Sequence, residues 1–166
     1  KTDLNFIVAQ SNLLNRSVQS VLDTNGNKII NIVDVLCKYL NCKLDDLPSK
    51  LVDYNFAIEV NNELYIRSVS KVDIENRSIS FFCDISFGDI LYLVKNKEFV
   101  SQTQIDYRNY SSMKKQEPIG AILNDCILRR LFNSGNLNSL KTFNDIPLAG
   151  YSTFGELLGL NINQTL

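Results

Sequence analysis

"FAIEVNNELYIRSVSKVDIENRSISFFCDISFGDILYLVK", Phe56 to Lys95, decides the fold class. Its apolar residues recur with a period of two, and β-branched and aromatic side chains are frequent. Such alternation turns one face of a strand to a core and the other to water. Four strands are predicted: "FAIEV", "LYIRSVSKVD", "SISFFCDI" and "ILYLVK". Between them lie Asn61-Asn62, Glu75 to Arg77, and Phe87 to Asp89. Each connection is too short for the crossover helix that a parallel pair needs. The expectation is a contiguous antiparallel meander.

Upstream, Ser17 to Leu22 alternates loosely and stops at "DTNGNK". Asn25-Gly26 is a tight-turn signal, because both residues tolerate positive φ. Lys28 to Ile32 is then the return strand. Ile32, Val35, Leu36, Tyr39 and Leu40 follow at helical spacing. A short helix around Asp46 to Leu51 carries Pro48 in its first turn, where proline is tolerated.

Downstream, "EFVSQTQIDYRNYSSMKK" reads as a polar helix with a thin stripe of Val100, Ile105 and Tyr107, ended by Pro118. "IGAILNDC" reads as a buried strand feeding a helix. Asn124 or Asp125 is the expected N-cap, and Ile127, Leu128, Leu131 and Phe132 the expected buried face. "NSLKTFND" adds a helical piece. "IPLAGYS" returns as a strand, and "INQTL" is a candidate for another. The order is hairpin, helix, four-strand meander, helix, strand, helix, strand. That is an α+β fold with a mostly antiparallel sheet and helices packed on it.

The chain has 166 residues, 45% of them hydrophobic, which suits one domain with a real core, residues 1–166. It begins at Lys1 without a methionine and reads as a domain excised from a longer protein. Net charge is −1 and lysine and arginine do not cluster, so the electrostatic footprint of a nucleic-acid binder is missing. There is no apolar run of about 18 residues, so no membrane contact is expected.

Histidine is absent altogether. That removes Ser-His and Cys-His nucleophile pairs and His-ligated metals, so neither enzyme nor cofactor is expected. The four cysteines, Cys37, Cys42, Cys83 and Cys126, form no CxxC. They are expected to be reduced thiols of a cytoplasmic chain, with no disulfide and no metal.

Polar groups converge in two places. In "AILNDCILRR", a strand end meets a helix start at Asn124. Free N–H groups there favour an anion, a first-turn Cys126 thiol is acidified, and the Arg129 fork fits a carboxylate. Equally, Asp125 and Arg129 can pair at i,i+4 on the helix surface, and Cys126 can be a small core residue. In "IPLAGYSTFGELLG", Ile146 to Gly159, a strand ends at Gly150 and "GELLG" can start a helical turn. Gly150 and Gly155 allow close backbone approach, and Ser152 and Thr153 can cap the turn. Glu156 is then either a helix-start carboxylate or one facing an ammonium in a cleft. Two strand-to-helix junctions gather on one rim when their strands are neighbouring and parallel, which would put Glu156 and Arg129 in one cleft.

"PIGAILNDCILRR" followed by "IPLAGYSTFGELLGLNINQTL" resembles the C-terminal part of the FIST sensory domain of signal-transduction proteins. The resemblance covers Ser17 to the end, and "NDCILR" and "GYSTFGE" are its specific part. It implies a ligand-sensing input module of bacteria, upstream of chemotaxis-type, kinase or cyclic-dinucleotide outputs. It also implies two partners in the full-length protein: the family's N-terminal half and an attached output domain. By position, the family's characteristic residues are Arg67, Cys126, Arg129, Gly150, Gly155 and Glu156. With Asn124, Ser152 and Thr153 they make the expected ligand site. An amino acid or small carboxylate is the expected ligand, with Arg129 for a carboxylate and Glu156 for an ammonium. The alternatives are an interaction or dimerisation module, and a thiol-dependent enzyme using Cys126.

Overall fold

The structure is a computed structural model that describes residues 1–23, 28–158 and 160–163, with 158 and 161 as backbone only. The expected turn at Asn25-Gly26 and the end of "INQTL" lie outside the described residues. The described residues fall into two compact units, 1–96 with 157–163, and 97–156.

The first unit is an antiparallel sheet with two helices. Its strands are β1 (Asn5–Asn12), β2 (Ser17–Asp23), β3 (Ile29–Asn31), β4 (Tyr54–Val60), β5 (Glu63–Arg67), β6 (Val69–Asp73), β7 (Ser78–Phe81) and β8 (Ile90–Lys95). Its helices are α1 (Ile32–Tyr39) and α2 (Leu47–Leu51), with Pro48 in the first turn of α2. The class is α+β with a mostly antiparallel sheet. The strand order is β5-β4-β8-β1-β2-β7-β6, with β3 on β2.

That order corrects the contiguous meander. The first two connections make the expected hairpins, β4 with β5 and β6 with β7. The third does not, because β7 pairs β2 and β8 pairs β1 and β4. The β1–β2 hairpin is inserted between the last two strands of the quoted stretch. β1 was not foreseen, yet it is central, with Phe6 and Val8 in the core. The strand predicted to run to Ile85 stops at Phe81, which frees Phe82 to Asp89 to cross over the hairpin. Gly88 N–H donates to the Val8 carbonyl, and Val8 N–H to the Asp89 carbonyl, both at 2.9 Å.

Only Ser68 separates β5 from β6, although they are the opposite edges of the sheet. The chain therefore passes directly from one edge strand to the other and the sheet rolls toward a barrel, although β5 and β6 do not pair with each other. Asn163 closes the seam. Its N–H donates to the Ile66 carbonyl (3.2 Å), and its Oδ1 accepts from Ser68 N–H (3.3 Å) and the Cys83 thiol (3.0 Å). Asn163 is 2% exposed, so burial of this amide is offset by full use of its acceptor. Strands β11 (Glu156–Leu158) and β12 (Leu160–Ile162) pair with each other just before it.

The inward faces of the strands fill this roll. Phe56 sits between Phe6 and Phe81, with ring centroids at 6.0 and 5.3 Å. Helix α1 buries Ile32, Val33 and Leu36 against the same core. Its start is set by Asn31, whose side chain accepts from Val33 N–H at 3.0 Å.

The second unit holds α3 (Phe99–Ser112), β9 (Ala121–Cys126), α4 (Ile127–Phe132) and β10 (Leu148–Thr153). Glu98 caps α3, accepting from Val100 and Ser101 N–H at 3.0 and 2.7 Å. The residues α3 buries are Phe99 and Thr103, while Ile105 of the expected stripe is exposed. β9 and β10 form a parallel pair, as expected of neighbouring strand ends. Leu131 and Phe132 were expected inside but are exposed, because α4 is under two turns long and turns only one edge inward.

Candidate ligand-binding site

The β9–β10 ladder sets the site. Its register places Leu123 opposite Gly150, Asp125 opposite Ser152, and Cys126 opposite Thr153. Gly150 makes this approach feasible: a Cβ there would lie 2.2 Å from the Leu123 carbonyl oxygen. Its local role is therefore close strand packing, and β10 runs through it instead of ending at it.

After β9 the chain enters α4, but the junction differs in detail from expectation. The helix begins at Ile127 with Cys126 at the N-cap, not Asn124 or Asp125. Asn124 and Asp125 stay in the ladder, where strand pairing holds their backbones extended. Asn124 is exposed. Cys126 is fully buried, packed among the core residues.

After β10 the expected helical turn is absent. Gly155 has φ 134°, outside any helix, and the chain re-enters a strand at Glu156. Glu156 accepts a hydrogen bond from the Thr153 hydroxyl. The spacing is that of a capping box, but the bond joins side chain to side chain at a bend between strands and caps no helix.

The charged groups of the second unit gather around Asp125. Arg129 Nη2 donates to Thr103 Oγ1 at 2.9 Å, and its guanidinium lies 4.9 Å from the Phe99 ring centroid. Arg130 Nη1 donates to Ser152 Oγ at 2.9 Å. Burial pushes the Asp125 carboxyl above its ordinary pKa; Arg129 and Arg130 pull it back, and the Glu156 charge adds to the rise. Burial lowers the Arg129 pKa, opposed by Asp125, Asp106 and Cys126. Two buried carboxylate oxygens, Asp125 Oδ1 and Glu156 Oε2, have no protein hydrogen-bond partner. Each is an acceptor left open in a place where an open acceptor costs about 1–3 kcal/mol.

Of the expected residues, Arg129, Ser152, Thr153 and Glu156 therefore join one electrostatic cluster. Arg129 is held by Thr103 and Phe99, and Asp125 feels both Arg129 and Glu156. Asp125 and Arg130, absent from the expected residues, belong to this cluster as well. The i,i+4 spacing of Asp125 and Arg129 drew attention to the helix surface, whereas the parallel register places Asp125 opposite Ser152. Arg67 belongs to the first unit. It is 4% exposed beside the seam, its Nη1 donates to the Ile66 carbonyl at 3.3 Å, and burial lowers its pKa against Cys83, Asp84 and Asp89.

Among the described residues, no three His, Cys, Asp or Glu side chains group to hold a metal ion, and no helix is long and apolar enough to cross a membrane. All four cysteines are free thiols. The family model of the FIST C domain matches residues 33–158, from α1 through β11, and so contains both site stretches. No curated protein and no solved structure matches the chain.

Proposed function

The chain belongs to the FIST C domain family, a family of sensory-type domains of signal transduction, and from that premise we propose that it is the ligand-sensing input domain of a bacterial signalling protein. Residues 1–166 act as one cytoplasmic input domain, joined in the full-length protein to the family's N-terminal half and to an output domain, such as a chemotaxis-type one. The ligand is a small ammonium-bearing molecule, an amino acid being the simplest, taken up without a cofactor. The observation that carries this reading is the pair of open, buried acceptors, Asp125 Oδ1 and Glu156 Oε2, beside two arginines. An ammonium donates three hydrogen bonds and satisfies both oxygens, and Arg129 or Arg130 meets a carboxylate.

A thermal-shift screen tests it, with amino acids set against their deaminated and decarboxylated analogues. A ligand at a hundred times its Kd stabilises by about 2.7 kcal/mol. Glu156→Gln, Asp125→Asn and Arg129→Met are expected to abolish the shift while the fold persists. If no ammonium-bearing compound raises the midpoint, the reading fails.

A second reading, an interaction module without a small ligand, is favoured by one observation. Ile119, Ile122, Tyr151 and Phe154 are 96%, 80%, 65% and 95% exposed along the β9–β10 pair. Two-stranded parallel sheets ordinarily have both faces covered. Sedimentation of the chain alone and with the N-terminal half separates the two readings.

A further inference from the structure

The end of helix α1 carries two cysteines in an unusual relation. Leu40 is the C-cap, and Asn41 follows with φ 49°, in the left-handed region. Asn41 N–H donates to the Lys38 carbonyl (3.4 Å) and Cys42 N–H to the Cys37 carbonyl (3.0 Å). These two bonds define a Schellman motif, which presses the side chain just past the turn against the one on the last helical turn. That contact is ordinarily a pair of hydrophobic residues. Here it is Cys37 against Cys42, close enough that Cys42 helps raise the Cys37 pKa.

The backbone makes the pair bridgeable. One N–H···O=C bond, with standard bond lengths on either side, holds the two Cα atoms about 5–7 Å apart. Disulfides span about 4.4–6.8 Å between Cα atoms. Cys37 and Cys42 are both partly exposed, whereas Cys83 and Cys126 are 5% and 0% exposed. An oxidant in solution therefore meets the Schellman pair first.

We propose that Cys37 and Cys42 are a reversible dithiol–disulfide site, oxidised by low-molecular-weight disulfides of the glutathione class. One thiolate attacks the glutathione disulfide; a protein–glutathione bond forms and one glutathione thiolate leaves. The second cysteine attacks the protein sulfur of that mixed disulfide and expels the other glutathione. Two protein thiols become one disulfide, one glutathione disulfide becomes two thiols, and the two protons pass to the released thiolates. Burial first, then the neighbouring Cys42, raises the Cys37 pKa, so Cys37 rests as a thiol and reacts faster at alkaline pH. Because the turn is already folded, closing the bridge needs no rearrangement of α1, and the site can cycle without unfolding the core that Leu36 anchors.

The test is incubation of the reduced 166-residue chain with oxidised glutathione at mildly alkaline pH, then thiol counting in denaturant, intact mass and peptide mapping. The thiol count is expected to fall from four to two, with the loss of two hydrogen atoms and a single linked peptide pair containing Cys37 and Cys42. The chain stays monomeric on a non-reducing gel, and dithiothreitol restores it. Cys37→Ser and Cys42→Ser are each expected to stop at a glutathione adduct on the remaining cysteine, at least about tenfold more abundant than in wild type, because the partner's high effective concentration is gone. The wild-type map decides the matter even if a variant misfolds. A wild-type adduct that never resolves, a bridge involving Cys83 or Cys126, or four thiols surviving oxidation would each overturn the proposal.

Discussion

Replacing Gly150 by alanine probes the strand pairing on which the candidate site depends. The backbone of Gly150 lies in no conformation that an alanine resists, so the penalty is one of space alone. The new Cβ would stand 2.2 Å from the Leu123 carbonyl oxygen and 2.8 Å from the Leu123 Cβ, where ordinary contacts begin near 3.4 Å. β10 would have to retreat from β9 by about 1 Å, which stretches ladder hydrogen bonds of ordinary length beyond about 3.5 Å. Overpacking of this kind costs about 1–3 kcal/mol, and more if the ladder opens. The retreat would also draw Ser152 away from Asp125 and Arg130, so the charge cluster loosens with the ladder. Gly135→Ala is the control, because a Cβ there meets nothing within 4 Å. It is expected to stay within about 0.5 kcal/mol of wild type. The assay is urea unfolding with amide hydrogen exchange on Leu123 to Cys126. If Gly150→Ala matches Gly135→Ala in stability and leaves the β9 amides equally protected, the close approach of the two strands is wrong.

Phe56→Ala is expected to cost about 3–5 kcal/mol in urea unfolding, because the ring is fully buried between Phe6 and Phe81; a loss under about 1 kcal/mol would remove Phe56 from the core. Asp73 titrates at about 2 instead of 3.8, since Asn76 N–H and then Lys71 hydrogen-bond its carboxylate. A depressed folded pKa stabilises above the unfolded value and is lost as pH falls through about 2, so Asp73→Asn should flatten acid unfolding between about pH 4 and 2, and carbon-detected titration should find the low midpoint. Asp125 has the opposite sign. Its raised pKa favours the fold below the unfolded value and is lost as pH rises through the folded one, so Asp125→Asn should raise the thermal midpoint at pH 7, and a lowered midpoint would contradict the burial-dominated environment.

Local pattern carried a good part of the fold. Period-two alternation from Phe56 to Lys95 holds because each strand has one face on the core, and that constraint is written residue by residue. α1 and α2 are likewise local, set by Asn31 at the cap, Pro48 in the first turn and an apolar stripe. The parallel pairing of β9 and β10 meets the condition under which the two strand ends were expected to share one rim, since strands separated by a long connection can lie side by side. The failures cluster where one short stretch had competing uses. "STFGE" has the letters of a helix start, but Gly155 at φ 134° sends the chain into β11. "NDC" has two good caps, but ladder hydrogen bonds keep Asn124 and Asp125 extended and hand the cap to Cys126.

The sequence by itself determined the α+β class, the antiparallel character of the main sheet, the family and the two stretches that carry the charged cluster. These depend on side-chain periodicity and on contiguous residue types, which are local. Tertiary structure alone decided the order of the strands. Hairpins pair neighbours at little entropic cost, but where β7 and β8 end up depends on whether the distant β1–β2 hairpin fills the space between them, and the alternation of β7 and β8 is the same either way. It also decided that Asn163 locks the seam and that Asp125 sits among Arg129, Arg130 and Glu156. The Asn163 contacts and the approach of Glu156 to Asp125 join residues far apart in the chain, and the burial that sets the Asp125 charge environment is a property of the meeting point that no single stretch of sequence contains.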